Sequence, residues 1–287
     1  MKFGLYLPNF DPYGKARLVA DLAAEAEEAG WDGFFLWDDI VIKPETEMVD
    51  PCVTLTAVAM HTRRIRLGAL VTPLPRRRPW KFARETVTLD HLSEGRLVVG
   101  VGTGGGPDEW DDFGEESDHR RRGEMLDEGL QVVTGLWSGE WFSHQGKYYH
   151  LRGTRFLPST FQKPRIPIWV GGVWPHRRPL ERMARWDGMF PLFFEATSLQ
   201  EAYNQFCEAV QIVQSMRQPG LPFDIIALGA TSPDDPEETA RIVRSYAAAG
   251  ATWWLESIAP TRMDPPGGKP WSFEQLRARV LAGPPTI

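Results

Sequence analysis

Eight times along this chain a short, nearly continuous apolar run gives way to a longer segment with helical patterning, and this alternation restricts the fold more than any other feature. The apolar runs are Phe3–Leu7, Gly33–Trp37, Ile65–Val71, Leu97–Val101, Ile166–Val170, Gly188–Leu192, Asp224–Ala230 and Thr252–Glu256. Runs of this length without polar alternation suit strands buried on both faces of a parallel sheet. The intervening segments read as helices. Leu18, Leu22, Ala26 and Ala29 give Lys15–Ala29 an apolar stripe that Gly30 ends. Pro51 and Pro79 stand where first helical turns tolerate a missing N–H. Ser93-Glu94-Gly95 stops the third helix with a glycine able to take the left-handed cap. Further helices are predicted over Arg121–Trp137, Leu180–Trp186, Leu199–Met216, Pro236–Ala249 and Phe273–Leu281.

Eight strands, each followed by a helix, predict an α/β fold of the TIM (β/α)8 barrel type, and 287 residues suit one. A doubly wound sheet also alternates. However, no Pro-, Gly- or Ser-rich linker divides the chain, and no G-x-G-x-x-G follows the first strand, which ends in Leu7-Pro8-Asn9. The expectation is a single domain over residues 1–287. Its rhythm breaks at about 139–164, where W-F-S-H-Q-G-K-Y-Y-H-L reads as a hairpin, turning near Gln145-Gly146, inserted before strand five.

A net charge of -6 argues against nucleic acid as a partner. Cys52 and Cys207 are the only cysteines, so a disulfide framework is excluded and a reducing cytoplasm fits. The start, M-K-F-G-L-Y-L-P, lacks a signal-peptide core, and no run is long enough to predict a membrane span.

Barrel chemistry sits at the C-terminal ends of the strands. That rule selects Pro8 and Asn9, then Trp37, Asp38 and Asp39, then Val71, Thr72 and Pro73 with the run Arg76-Arg77-Arg78. It also selects Thr103 with Gly104, Gly105 and Gly106, and Gly171, Gly172, Val173 and Trp174. The six histidines show neither H-x-H at a strand end nor H-E-x-x-H, so no metal site is expected. No G-x-S-x-G elbow supplies a nucleophile. A planar redox cofactor, flanked by tryptophans and approached by bare glycine backbone, fits what remains. Asp108–Asp118, acidic with Trp110 and Phe113 interleaved, reads either as a lid from which Glu109 reaches inward or as a long surface loop.

T-L-D-H-L-S-E-G-R-L with V-G-V-G-T-G, preceded by R-I-R-L-G-A-L-V-T-P and followed by I-P-I-W-V-G-G, resembles the bacterial luciferase-like monooxygenase family from the first strand to about Pro191. The resemblance implies a cytoplasmic, often dimeric barrel that binds reduced flavin, or the deazaflavin coenzyme F420, at its strand ends. It implies that Ala69, Leu70 and Val71 back the cofactor ring, with a non-proline cis peptide at Ala69–Leu70 in F420-type members. Thr103 and Gly104 would touch the ring or ribityl chain, and Asp38 the ring edge. The Gly171-Gly172-Val173-Trp174 loop would hold the phosphate. Where many relatives carry a histidine, this chain has Asp39, which can stand in near neutral pH only if burial raises its pKa. The expected activity is oxidation of a small organic substrate with reduced FMN, Asp39 and Glu109 being the candidate catalytic residues and a separate reductase a possible source of reduced cofactor. F420-dependent hydride transfer is the first alternative and a non-catalytic flavin-binding barrel the second.

Overall fold

A computed structural model of the chain describes residues 1–287 except 44, 107, 219 and 260–270. The first half runs β1 (Lys2–Leu7), α1 (Ala16–Glu28), β2 (Gly33–Leu36), α2 (Pro51–His61), β3 (Arg66–Ala69), β4 (Thr72–Pro73), a 3-10 turn (Leu74–Arg76), α3 (Pro79–Leu92), β5 (Val99–Gly102), α4 (Asp108–Asp111) and α5 (His119–Trp137). The second half runs β6 (Trp141–Gln145), β7 (His150–Arg155), β8 (Ile168–Val173), α6 (Arg177–Met183), β9 (Gly188–Leu192), α7 (Leu199–Met216), β10 (Asp224–Gly229), α8 (Pro236–Ala248), β11 (Trp253–Ser257) and α9 (Phe273–Leu281).

The main sheet has the order β3-β2-β1-β11-β10-β9-β8-β5-β4, and every pair in it is parallel. β3 and β4 are two halves of one barrel strand. Leu67 bridges Leu97 in parallel, and the Val98 N–H donates to the Leu67 carbonyl at 2.9 Å, which joins the approach to β5 back to β3. The ring therefore closes with eight staves, as the alternation predicts. β6 and β7 pair antiparallel outside it, between α5 and β8. Glu128 of α5 pins their turn by accepting from the backbone N–H of Lys147, Tyr148 and Tyr149.

Two local expectations are corrected. The non-proline cis peptide lies at Leu70–Val71, one bond later than expected. Ala69 is still in register with Leu36, and the Leu70 N–H still reaches the Leu36 carbonyl at 2.8 Å, so the ladder continues past the predicted break. Gly171 and Gly172, expected in a loop, are strand residues of β8 paired with Phe190 and Pro191. Pro167 has no N–H to give the ladder, so the strand begins at Ile168 and runs on to Val173.

Two apolar layers hold the barrel. Outward-facing strand residues such as Leu5, Leu7, Phe34, Leu36, Val99, Val101, Ile168 and Val170 pack under the helices. Inward-facing Tyr6, Phe35, Leu70, Val98, Trp169, Phe190, Ile226, Trp253 and Leu255 fill the interior. At its base Phe35, Trp169 and Trp253 meet at centroid distances of 5.3–5.9 Å. Both indole N–H groups there donate to Asp224 at 3.1 Å. Rings this large fit because glycines face them: a Cβ on Gly33 would lie 2.6 Å from Phe35, and one on Gly188 2.4 Å from Trp169. The base is thus plugged, and Trp37, Val71, Leu192 and Leu228, partly buried, complete the interior at the C-terminal end.

Candidate active site

Strand alternation divides the rim residues into two sets. Phe35 and Trp37 point into the barrel, and Asp39, two residues on, acts electrostatically on the interior Tyr6, while Asp38 turns outward. Asp38 lines a small cavity of about 30 Å³ behind the sheet, with Cys52 and Leu55 of α2 and Phe82 of α3. Asp38, expected at a ring edge, has its carboxylate engaged by Arg77 on this side of the sheet. Arg77 Nη2 donates to both of its oxygens at 2.8 Å, and the Asp38 side chain is 4% exposed. Burial pushes the Asp38 carboxyl up, and the Arg77 guanidinium opposes the rise.

The third strand behaves differently at its break. Ala69 packs outward, whereas Leu70 and Val71 both belong to the interior cluster. Val71 lies across bare backbone: its methyls stand 2.6 Å from where a Cβ would be on Gly102 and on Gly171. The space left by Gly172 is filled from outside by Pro179, 2.4 Å from its notional Cβ. Trp174 also faces out, against Phe193 at 6.5 Å. Of the expected phosphate loop, both glycines make room for protein side chains. Gly104, at φ 82°, brings the chain over Trp110, 2.4 Å from its notional Cβ, with Thr103 half-buried beside it.

Trp110 belongs to α4, the short helix inside the segment read as lid or loop, and it is fully buried. Arg76 lies over its ring at 5.7 Å and Arg122 at 4.2 Å. Arg122, in the first turn of α5, is 1% exposed; its Nη2 meets His119 Nδ1 at 2.6 Å. Its Nε and Nη1, and the Trp110 Nε1, have no acceptor among the described residues. Buried donors without acceptors cost about 1–3 kcal/mol each. They mark a place that suits an anionic or acceptor-rich group.

Glu109 brings α4 against the end of β2. Its Oε1 accepts the Ile40 N–H at 2.6 Å, and its Oε2 lies 3.2 Å from Arg76 Nη1. Arg76 Nη2 also donates to the Asp38 carbonyl at 3.1 Å. Asp39 is held by its main chain. Asn9, 1% exposed, donates to the Asp39 carbonyl at 2.8 Å and accepts the Asp39 N–H at 3.2 Å. Burial, then Glu109 and Asp38, push the Asp39 carboxyl up to about 6, against the pull of Arg76. The Tyr6 hydroxyl is pushed well above its ordinary range by burial and by Asp39, so it stays protonated. Tyr6 packs against Trp37 and Phe190 at 5.5 Å each.

Of the expected residues, Asp39, Leu70, Val71 and Gly171 converge on the barrel interior or its mouth, while Asp38, Ala69, Gly172 and Trp174 do not. Asn9 and Arg76 were placed at the rim, and Trp110 in the candidate lid, without a role, whereas Tyr6 and Arg122 were not singled out. Counting alternate residues from Phe35 would have separated Asp39 from Asp38. The burial of Arg76 and Arg77 against the end of β2, with Arg77 on Asp38 behind the sheet, had no such signal.

Among the described residues no three His, Cys, Asp or Glu side chains gather as a metal site, and no helix is long and apolar enough to cross a membrane. A family model described as luciferase-like monooxygenase matches residues 1–270. The chain is 30% identical over 186 residues to an uncharacterised protein of Mycobacterium tuberculosis, covering 58% of this chain and 62% of that one. It is 26% identical over 197 residues to the oxygenase component of a flavin-dependent trigonelline monooxygenase of Acinetobacter baylyi, covering 67% and 52%. It is 29% identical over 178 residues to an F420-dependent glucose-6-phosphate dehydrogenase of Microbacterium testaceum, covering 61% and 52%. The matches thus span about half to three fifths of the length of these curated relatives. In fold, the chain is similar to the monooxygenase RslO1 of Streptomyces bottropensis, with a TM-score of 0.72 at 21% identity over 98% of both chains. With the closed barrel, the plugged base and the match over residues 1–270, the chain belongs to the luciferase-like monooxygenase family.

Proposed function

We propose that this chain, taken as one domain over residues 1–287, is an oxidoreductase that works on a small organic substrate with reduced FMN. The observation that carries this reading is the barrel mouth. There an aromatic wall of Tyr6, Trp37 and Phe190 adjoins a half-buried carboxyl, Asp39, that no described residue hydrogen-bonds. The orphaned donors of Arg122 and Trp110 fit a cofactor carrying a phosphate, and the inward Trp37 with Leu70 and Val71 fits a planar ring. In this reading Leu70, Val71, Thr103, Gly104 and Val173 hold the ring and its chain, and Arg122 takes the phosphate in place of the glycine pair.

When bound, reduced FMN supplies two-electron chemistry that can involve oxygen. The chain's own residues supply the rest. The aromatic wall excludes water, Asn9 fixes the Asp39 main chain, and Asp39 Oδ gives or takes a proton at the substrate. An aspartate can do this near neutral pH because its proton affinity is raised. In the same reading a separate reductase delivers reduced cofactor, in keeping with a relative that is an oxygenase component, and the protein works as a homodimer in the cytoplasm.

The 29% identity to an F420-dependent dehydrogenase supports a second reading, hydride transfer with F420 on the same barrel. Titrating the purified protein separately with reduced FMN under anaerobic conditions and with F420, followed by absorbance and fluorescence, tests both. Micromolar binding of FMN supports the first and of F420 the second; binding of neither refutes both.

A further inference from the structure

We propose that Glu109, presented by α4, is a positioning residue that keeps a proton on Asp39, so that this carboxyl serves as the proton-exchanging group of the mouth near neutral pH. Three carboxylates and two guanidiniums meet at the end of β2. Arg77 is engaged with both oxygens of Asp38. Arg76 faces Glu109 Oε2 with one nitrogen and the Asp38 carbonyl with the other. Glu109 also takes a main-chain hydrogen bond, whereas Asp39 receives none on its carboxyl from any described residue. Of the three carboxylates, Asp38 and Glu109 each pair with a guanidinium and Asp39 pairs with none among the described residues, so Asp39 is the group that a proton neutralises at least cost.

Glu109 is fixed in that relation. Its partner is the N–H of Ile40, the residue directly after Asp39, at 2.6 Å. As long as α4 is seated, a carboxylate stands beside Asp39. The groups that act on Asp39 are Glu109 from α4, Asp38 from its own strand end and Arg76 from the turn after β4. Tyr6 of β1 faces it as a neutral hydroxyl. The first two favour the proton and Arg76 disfavours it, and burial adds to the first pair.

The catalytic meaning rests on the function proposed above, but the titration does not, so it is read on protein without cofactor. Side-chain 13C labelling of aspartate, with Asp39→Asn to assign the signal, follows the Asp39 carboxyl from pH 3 to 9. Glu109→Gln keeps an oxygen for the Ile40 N–H and removes the charge. It is expected to lower the proton affinity of Asp39 by roughly tenfold, one unit in midpoint. Arg76→Gln is expected to move the midpoint the other way. An Asp39 midpoint that Glu109→Gln leaves in place, or that both variants move in the same direction, overturns the proposal. Where Glu109→Gln does not fold, as judged by circular dichroism, Glu109→Ala is read in its place, and an Asp39 midpoint that it leaves unmoved overturns the proposal. A correct titration pattern with no cofactor binding refutes the proposed function alone; cofactor binding with an unmoved midpoint refutes this inference alone.

Discussion

Asp39→Asn should make the protein more stable at pH 8 and leave it unchanged at pH 3. Burial, Glu109 and Asp38 raise this carboxyl from 3.8 to about 6 in the folded chain, whereas the unfolded chain keeps the ordinary value. Below 3.8 both states hold the proton, and the substitution has no charge effect. Between 3.8 and about 6 the unfolded chain releases its proton while the folded chain keeps it, so wild-type stability falls as pH rises through this window. Above it the loss is complete. Full conversion gives about 3 kcal/mol, and solvent reaching the half-buried carboxyl reduces this to about 1–3 kcal/mol. Asparagine has no such loss, and the main-chain bonds to Asn9 do not involve the side chain replaced. For a chain of this size the gain corresponds to roughly 2–8 °C in Tm at pH 8. Urea and thermal melts of both proteins from pH 3 to 8 measure it. A gain that is the same at pH 3 and pH 8, or a loss at pH 8, would refute the reasoning. A substitution that raises stability while lowering turnover is what a strained functional carboxyl entails.

Other expectations follow from single contacts. Gly171→Ala places a Cβ 2.6 Å from Val71 Cγ1 and should cost about 1–3 kcal/mol; Val71→Ala should recover part of it in a double-mutant cycle of thermal melts, and strict additivity would exclude the contact. Arg77→Met leaves the buried Asp38 carboxylate without its bidentate partner and should cost about 3–5 kcal/mol; adding Asp38→Asn should restore much of that in urea melts, and no recovery would mean the pair is not the source of the loss. Glu128→Gln should loosen the β6–β7 turn, because the carboxylate accepts three successive backbone N–H groups. Hydrogen exchange at Tyr148 and Tyr149 should accelerate, and unchanged rates would show that the turn holds without it.

The barrel was legible because its cause is local and repeated. Eight apolar runs of strand length, separated by capped helices, leave few ways to bury every strand on both faces. The ends of elements were less legible. Pairing of β8 with β9 runs on through Val173, so that Gly171 and Gly172 fall inside a strand, and pairing of β3 with β2 continues through Ala69, with the cis peptide after it at Leu70–Val71. Both depend on which neighbour continues the ladder, which a window of sequence does not contain.

The site divides the same way. Sequence order alone put Asp38, Asp39 and the glycines at strand ends, and the family resemblance attached a cofactor class to them. Whether a residue at a strand end faces the mouth or the helices depends on the pleat, and one residue's difference exchanges the two sides. Alternation counted from Phe35 separates Asp39 from Asp38, but only the folded chain bound Asp38 to Arg77 behind the sheet. Only the folded chain, likewise, brought Glu109 from α4 onto the N–H after Asp39 and brought both Arg76 and Arg122 over the ring of Trp110. The sequence by itself determined the barrel and the residues available at its rim. Tertiary structure decided which of them share charge, because electrostatic coupling falls with distance in space rather than with separation along the chain.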